Sequence, residues 1–296
     1  MNARLYLLPL LACLALSLRA AADETAQPAA EEKQLLTYKF KPGQLLRWEV
    51  EHRSNIRTTI DGTTDANESF SGSIKVWRVT DVADDGNITF QYSVERVRMR
   101  QKAQGRQEIL YDSTEGGEPP PQFEAVAKSV GVPLTVFTIN PRGEIVRRVD
   151  AESRPAGSDD AQITMILPEM PVGPGDQWSV PADVTVSKGT RPLTVKTRQL
   201  YTLVSIQNGI AVVQTETQVL TPIDDPEIEA QLVQRSTSGE VRFDVDEGRV
   251  VSQQIDVDKS VVGFRGAQSV LNCLMRLNEA LLDDSEPTAR RNPLRQ

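Results

Sequence analysis

The sequence predicts a mainly β fold: two related, curved antiparallel sheets, half-barrel-like, with a few short helices. Three observations lead there. Residues 74–99 read as a β-hairpin, because two runs rich in β-branched and aromatic residues flank the turn Ala83-Asp84-Asp85-Gly86-Asn87. Residues 199–220 repeat that arrangement around Gln207-Asn208-Gly209. The alternation of the first hairpin also slips. Ile88, Phe90, Tyr92 and Val94 share one face, whereas Val97 and Met99 are apolar but out of step. One extra residue near Glu95-Arg96, a β-bulge, accounts for the slip and bends the strand.

The elements follow in order. Arg4 and the apolar run 5–18, ending before Ala20-Ala21-Ala22, have the layout of an export signal spanning residues 1–22, with Asp23 as the first mature residue. A membrane anchor needs about 20 apolar residues, and Arg19 interrupts this run. Leu10-Leu11-Ala12-Cys13 is a competing lipidation signal at Cys13, but residues 14–18 stay apolar where such proteins turn polar. The expected location is therefore the periplasm or cell surface. Residues 23–34, rich in Ala, Glu and Gln, form a tether, and residues 35–152 a first β unit. In that unit Leu35 begins an alternating stretch, Lys41-Pro42-Gly43-Gln44 is a turn, and residues 46–60 are a strand with Trp48, Val50 and His52 on one side. Asp61-Gly62 and the polar run to Ser73 connect to the central hairpin.

Phe123, Val126, Ala127 and Val130 fall at helical spacing, and Gly131 and Pro133 end that helix. Residues 134–139 and 144–149 make a hairpin around Asn140-Pro141-Arg142-Gly143. Residues 153–170 are a linker with a short helical turn near 161–167, capped by Ser158 or Asp159. Residues 171–282 form the second β unit. Pro174-Gly175-Asp176 with Trp178 echoes Pro42-Gly43-Gln44 with Trp48; Gly209 echoes Gly86, and Gly248 echoes Gly143. Three landmarks in the same order suggest an internal duplication. Residues 269–282 satisfy both helical and strand periodicity; strand is favoured because the preceding strand needs a partner. Residues 283–296 read as a frayed tail.

Most site chemistries lack their residues. His52 is the single histidine and, after cleavage, Cys273 the single cysteine. A histidine-rich or thiolate zinc site is thereby excluded, as is an intramolecular disulfide. A Ser-His-Asp triad would depend on His52, without a nucleophile-elbow motif. Cys273 lies in an apolar run, as a buried structural thiol does. Asp244-Val245-Asp246-Glu247-Gly248 lacks the further ligands of a calcium loop, and no glycine loop opens a helix to hold a phosphate. No cofactor is expected. The formal charge of −8 excludes the basic footprint of a nucleic-acid binder. Arg96, Arg98, Arg100 and Lys102 share a parity and form one basic stripe, a candidate surface for an envelope protein, lipid or anionic polymer. Trp48, Trp77, Tyr92 and Trp178 are candidate liners of a ligand groove, or core residues.

The export signal, Ala/Glu tether, Pro174-Gly175-Asp176-Gln177-Trp178 segment and paired strand–Gly–strand units together resemble an uncharacterised family of exported bacterial proteins, a domain of unknown function common in planctomycetes. The first copy departs from the segment, with Gln44 in place of Asp and Trp48 further on. The resemblance supplies no catalytic residues. In layout the chain is also similar to curved-sheet lipoprotein carriers of the envelope. The expectation is a non-enzymatic exported protein binding a hydrophobic ligand or lipid in a concave face. The alternatives are a structural or protein-interaction module of the cell surface and, least favoured, a carboxylate-based hydrolase.

Overall fold

The computed structural model describes residues 33–154 and 165–282. The export signal, Cys13, most of the tether, most of the predicted turn at 161–167 and the tail at 283–296 lie outside the described residues. The strands of the first half are β1 (Leu45–Ile60), β2 (Thr63–Val82), β3 (Ile88–Ala103), β4 (Ile109–Asp112), β5 (Pro133–Ile139) and β6 (Ile145–Asp150), with helix α1 (Glu124–Ser129) before β5. The second half contains β7 (Gln177–Pro181), β8 (Val184–Lys188), β9 (Arg191–Val195), β10 (Thr197–Gln207) and β11 (Ile210–Val219). Helix α2 (Pro226–Leu232) follows, then β12 (Ser238–Asp244), β13 (Arg249–Val262) and β14 (Val270–Leu281).

The protein is mainly β and antiparallel, as the sequence predicts, but the two units are not separate sheets. β1 pairs with β14 from Trp48↔Leu281 to Thr59↔Val270. This joins them into one 12-stranded sheet of order β6-β5-β3-β2-β1-β14-β13-β12-β11-β10-β7, with β4 on β3; β8 and β9 form a separate two-stranded sheet. Phe90 and Phe137 from one flank share a buried cluster with Leu203, Val213 and Phe243 from the other. The sheet therefore curls toward this face without closing, and β6 and β7 remain its edges.

The two halves repeat in detail. Both carry the same strand order, β6-β5-β3-β2-β1 against β13-β12-β11-β10-β7. Gly43 N–H donates to the Val79 carbonyl and Val79 N–H to that of Gln44; Gly175, Leu203 and Asp176 do the same. The register skips a residue after Val79 and again after Leu203. It skips one opposite Thr138/Ile139 and again opposite Arg242/Phe243. By this superposition the counterpart of Trp178 is Leu46, not Trp48: Leu46 pairs Trp77 as Trp178 pairs Tyr201.

The bulge predicted near Glu95 is present: Arg96 pairs Ile74 and Val94 pairs Lys75, so Glu95 is the extra residue. Residues 269–282 are a strand, as favoured. Two expectations are corrected. The polar run after Gly62 is not a connection but the start of β2, entered through a two-residue turn with Asp61 and Gly62 at φ 48° and 78°. Its small polar residues carry no apolar alternation, so the sequence hid the strand. The alternating stretch after Leu35 belongs to no named strand. It crosses one end of the concave face instead, burying Leu36 and Tyr38. Tyr38 N–H donates to Pro141 O and Lys39 N–H to Gly248 O, both at 2.9 Å, so the segment pins the equivalent turns of both halves. Met165 and Leu167 are buried beside it, and Tyr38 Oη donates to Met165 O at 2.9 Å. At the other end, α2 carries Ile228 and Leu232 against Val186 and Val195 of the small sheet, and Val233 just after it packs on Val257, Val261 and Cys273.

Candidate ligand site on the concave face

Directly opposed residues of antiparallel strands point to one face, so the register lays out the concave surface row by row. One row runs Met99, Ser71, His52, Leu277, Ile255, Gly239, Thr215, Tyr201, Trp178. Aromatic bulk sits at its far end, and small residues lie within it. The neighbouring row runs Val97, Ser73, Val50, Glu279, Gln253, Val241, Val213, Leu203. Together they floor the space between the two covers.

A cavity of about 620 Å³ occupies the second-half side of this space. Its apolar wall includes Met165, Tyr201, Val241, Ile255 and Leu277, and its polar wall Gln199, Thr215, Thr217 and Gln253. The polar wall is ordered by its own bonds: Gln199 Nε2 donates to Thr215 Oγ1 at 2.5 Å, and Thr217 Oγ1 donates to Gln199 Oε1 at 3.0 Å. The size falls within the range of about 300–1,000 Å³ usual for small-molecule sites. The lining is amphipathic rather than purely apolar.

Gln253 leads out of the cavity to an ion pair. Its amide donates to Glu279, and Lys75 Nζ lies 2.6 Å from Glu279 Oε1. The Lys75 and Glu279 side chains are only 23% and 11% exposed. Each charge therefore depends on the other to offset its desolvation. His52 is half-buried on the same face. Burial, and secondarily the Lys75 ammonium, hold its pKa below the ordinary 6.5. Burial pushes the Tyr92 phenol up, Glu279 adds to that rise, and Lys75 partly opposes it.

The sequence-predicted site residues divide between core and outer surface. Trp48 and Trp77 are buried with ring centroids 5.6 Å apart, and Trp77 stacks on Phe90. Tyr92 packs partly buried beside them. Trp178 lies on the opposite flank, stacked on Tyr201, with its indole N–H bonded to Ile166 O at 2.8 Å. The four therefore do not converge on one groove. Arg96, Arg98, Arg100 and Lys102 do form one stripe on the convex face, opposite Ile74, Gly72, Phe70 and Glu68. Ion pairs already occupy two of them, Arg96 with Asp112 at 3.1 Å and Arg100 with Glu108 at 3.4 Å. Arg53 from β1 stacks over Phe70 beside them.

Lys75, Glu279, Gln253 and Gln199 were not singled out from the sequence, although a signal existed. Lys75 has the parity of Trp77 and Val79, and Glu279 that of Leu277 and Leu281. A charge on an apolar parity is either buried with a partner or functional. Cys273 is buried, and desolvation raises its thiol pKa, as a structural role implies. In the Asp244–Gly248 turn, Glu247 N–H donates to Asp244 Oδ1 at 2.8 Å, so the acidic turn closes on itself. Among the described residues no group of three or more His, Cys, Asp or Glu is placed to hold a metal ion. No helix of the described residues is long and apolar enough to cross a membrane.

The fold and its cavity define a class: a curled antiparallel sheet with a roofed, amphipathic concave face. No family model matches the chain, and no curated protein matches it either. Among solved structures, one of lipid–protein interactions in lipovitellin is similar, at 13% identity and a TM-score of 0.48, over 86% of this chain. The chain spans 27% of the length of that lipovitellin chain.

Proposed function

We propose that this is a non-enzymatic, exported binding protein of the cell envelope that holds an amphipathic molecule, with a hydrophobic part and a polar head, in its concave face. The observation that carries this reading is the cavity of about 620 Å³ beneath the Met165–Leu167 cover, with Leu277 and Ile255 on one side and the Gln199–Thr215–Thr217 network on the other. Aliphatic walls facing hydrogen-bonded polar side chains suit a ligand with both an apolar and a polar part. The concave position removes a bound chain from water, at roughly 25 cal/mol per Å² of apolar surface buried. The export-signal layout of residues 1–22 supports a role in the periplasm or at the cell surface.

Native mass spectrometry of the protein purified from a bacterial host tests the proposal. The expected result is an adduct of lipid mass at one per chain, or its appearance when lipid is added. A spectrum of unliganded protein that added lipid leaves unchanged would remove the basis for a carrier and favour an interaction module.

A further inference from the structure

The internal repeat supplies a comparison for the cavity, because its wall positions have counterparts in the first half. With Val79 and Phe90 superposed on Leu203 and Val213, the strand registers match Tyr92 to Thr215, Val94 to Thr217 and Thr135 to Gly239. Thr215 and Gly239 are the smaller members of their pairs. In the first half the space is filled. Val94 and Thr135 are buried, Tyr92 packs against the Trp77–Phe90 cluster, and Val126 and Val130 pack on the cluster of Val94 and Leu134. In the second half the same place is the cavity of about 620 Å³.

The superposition also changes the charge. Lys75 matches Gln199, Arg148 matches Gln253 and Asp150 matches Ile255. In the first half these positions are ionic: Lys75 pairs with Glu279 at 2.6 Å and Arg148 with Asp150 at 2.9 Å. In the cavity wall all three are neutral. The charged residues of the lining are Asp183 and Arg235, one of each sign and both exposed. A charged head against the inner wall would lose hydration with no opposite charge there to replace it.

The inner wall offers a directed chain of hydroxyls and an amide instead. Thr217 Oγ1 spends its proton on Gln199 Oε1 at 3.0 Å, so across their 2.9 Å contact Thr237 donates to Thr217. Gln199 Nε2 donates onward to Thr215 Oγ1 at 2.5 Å. The chain therefore has lone pairs of Thr237 at one end and the hydroxyl proton of Thr215 at the other. A carboxylate only accepts, whereas a hydroxyl both donates and accepts and so matches either end.

We infer that the second-half cavity selects an uncharged polyhydroxyl head, as in an alkyl glycoside, and that Gln199, Thr215 and Thr217 set this specificity. This rests on the binding reading above and specifies the head it accepts. The alkyl chain lies along Leu277, Ile255 and Val241.

The test is calorimetric titration of the full chain with three probes of one chain length, each below its micelle concentration: octyl glucoside, octanoate and octyltrimethylammonium. Octyl glucoside is expected to bind at least about tenfold more tightly than either ion, as a site built to hydrogen-bond hydroxyls rejects analogues lacking them. Gln199→Lys and Thr215→Tyr each install the residue that the first half holds at the same place. Gln199→Lys should reverse the order, so that octanoate binds more tightly than octyl glucoside, a switch that simple loss of structure cannot produce. Thr215→Tyr should fill the cavity and weaken octyl glucoside by about tenfold or more. The order of the three probes on the wild type is a readout independent of how the variants fold. No preference or a preference for either ion in the wild type, or an unchanged order in Gln199→Lys, would overturn the head-group assignment while leaving a binding role intact. Failure of all three probes to bind would overturn both.

Discussion

His52 reports on the concave face by itself, because it is the only imidazole in the chain. Its folded-state pKa lies below 6.5, first through burial and then through Lys75. The unfolded chain therefore takes up the proton first as pH falls. Stability is full above about pH 7 and declines as pH drops through the ordinary imidazole range. A proton NMR titration of the single ring should give a midpoint below 6.5, and His52→Gln should flatten stability between pH 7 and 5. Lys75→Met should raise that midpoint, since it removes a cation and frees a carboxylate on the same face. It should also cost about 3 kcal/mol in denaturant unfolding, the low end for a buried pair stripped of one partner. These side chains were readable in part. His52 was placed on the side of Trp48 and Val50, and Cys273 as buried, from parity alone. Lys75 and Glu279 carried the same parity signal, but their pairing could not be read. They come from β2 and β14, 204 residues apart in sequence, and meet only because β1 lies between those strands.

At the scale of elements, local chemistry was legible wherever it was self-contained. The Glu95 bulge follows from one slip of alternation, and α1 from an apolar stripe closed by Gly131. The start of β2 was hidden because its inward positions, Asn67, Ser69, Ser71 and Ser73, are polar. α2 was missed although its start was written plainly. Asp225 caps it by accepting from Glu227 N–H at 3.0 Å, and Pro226 occupies the first turn. Asp225→Ala should lower stability, because it removes the cap from an orphan N–H at the helix start, measurable as a downward shift in urea midpoint without change of slope. Gly239 sits in β12 between Thr215 and Ile255. A Cβ there would run into the Gln254 carbonyl and the Ile255 backbone. Gly239→Ala must push β13 away and should cost about 3 kcal/mol, the upper end for overpacking; thermal unfolding would reveal a lower midpoint.

At the scale of the whole molecule, the repeat of turns was legible and the joining of the halves was not. Gly43, Gly86 and Gly143 match Gly175, Gly209 and Gly248 in sequence. The continuous sheet depends on β14 inserting between β1 and β13, a long-range pairing that no local signal encodes. The segment through Leu36 and Tyr38 then holds the curl by bonding both Pro141 and Gly248 turns. Leu36 is fully buried there. Leu36→Ala should cost about 3 kcal/mol and Tyr38→Phe roughly 1–2 kcal/mol, since the latter leaves the Met165 carbonyl unpaired. In a chemical unfolding series both losses should appear as one cooperative transition of the two halves, and separate transitions would contradict a shared core.

In the proposed role the concave cavity takes the hydrophobic part of an amphipathic ligand. Titration of the full chain with a fluorescent long-chain lipid, alongside Leu277→Trp, which fills the cavity from its floor, tests this most directly. The expected result is saturable one-to-one binding by the wild type, weakened on the order of tenfold or more by Leu277→Trp, with the β-sheet circular dichroism of both proteins the same. Absent or non-saturable binding by the wild type, or equal affinity in the filled variant, would contradict it.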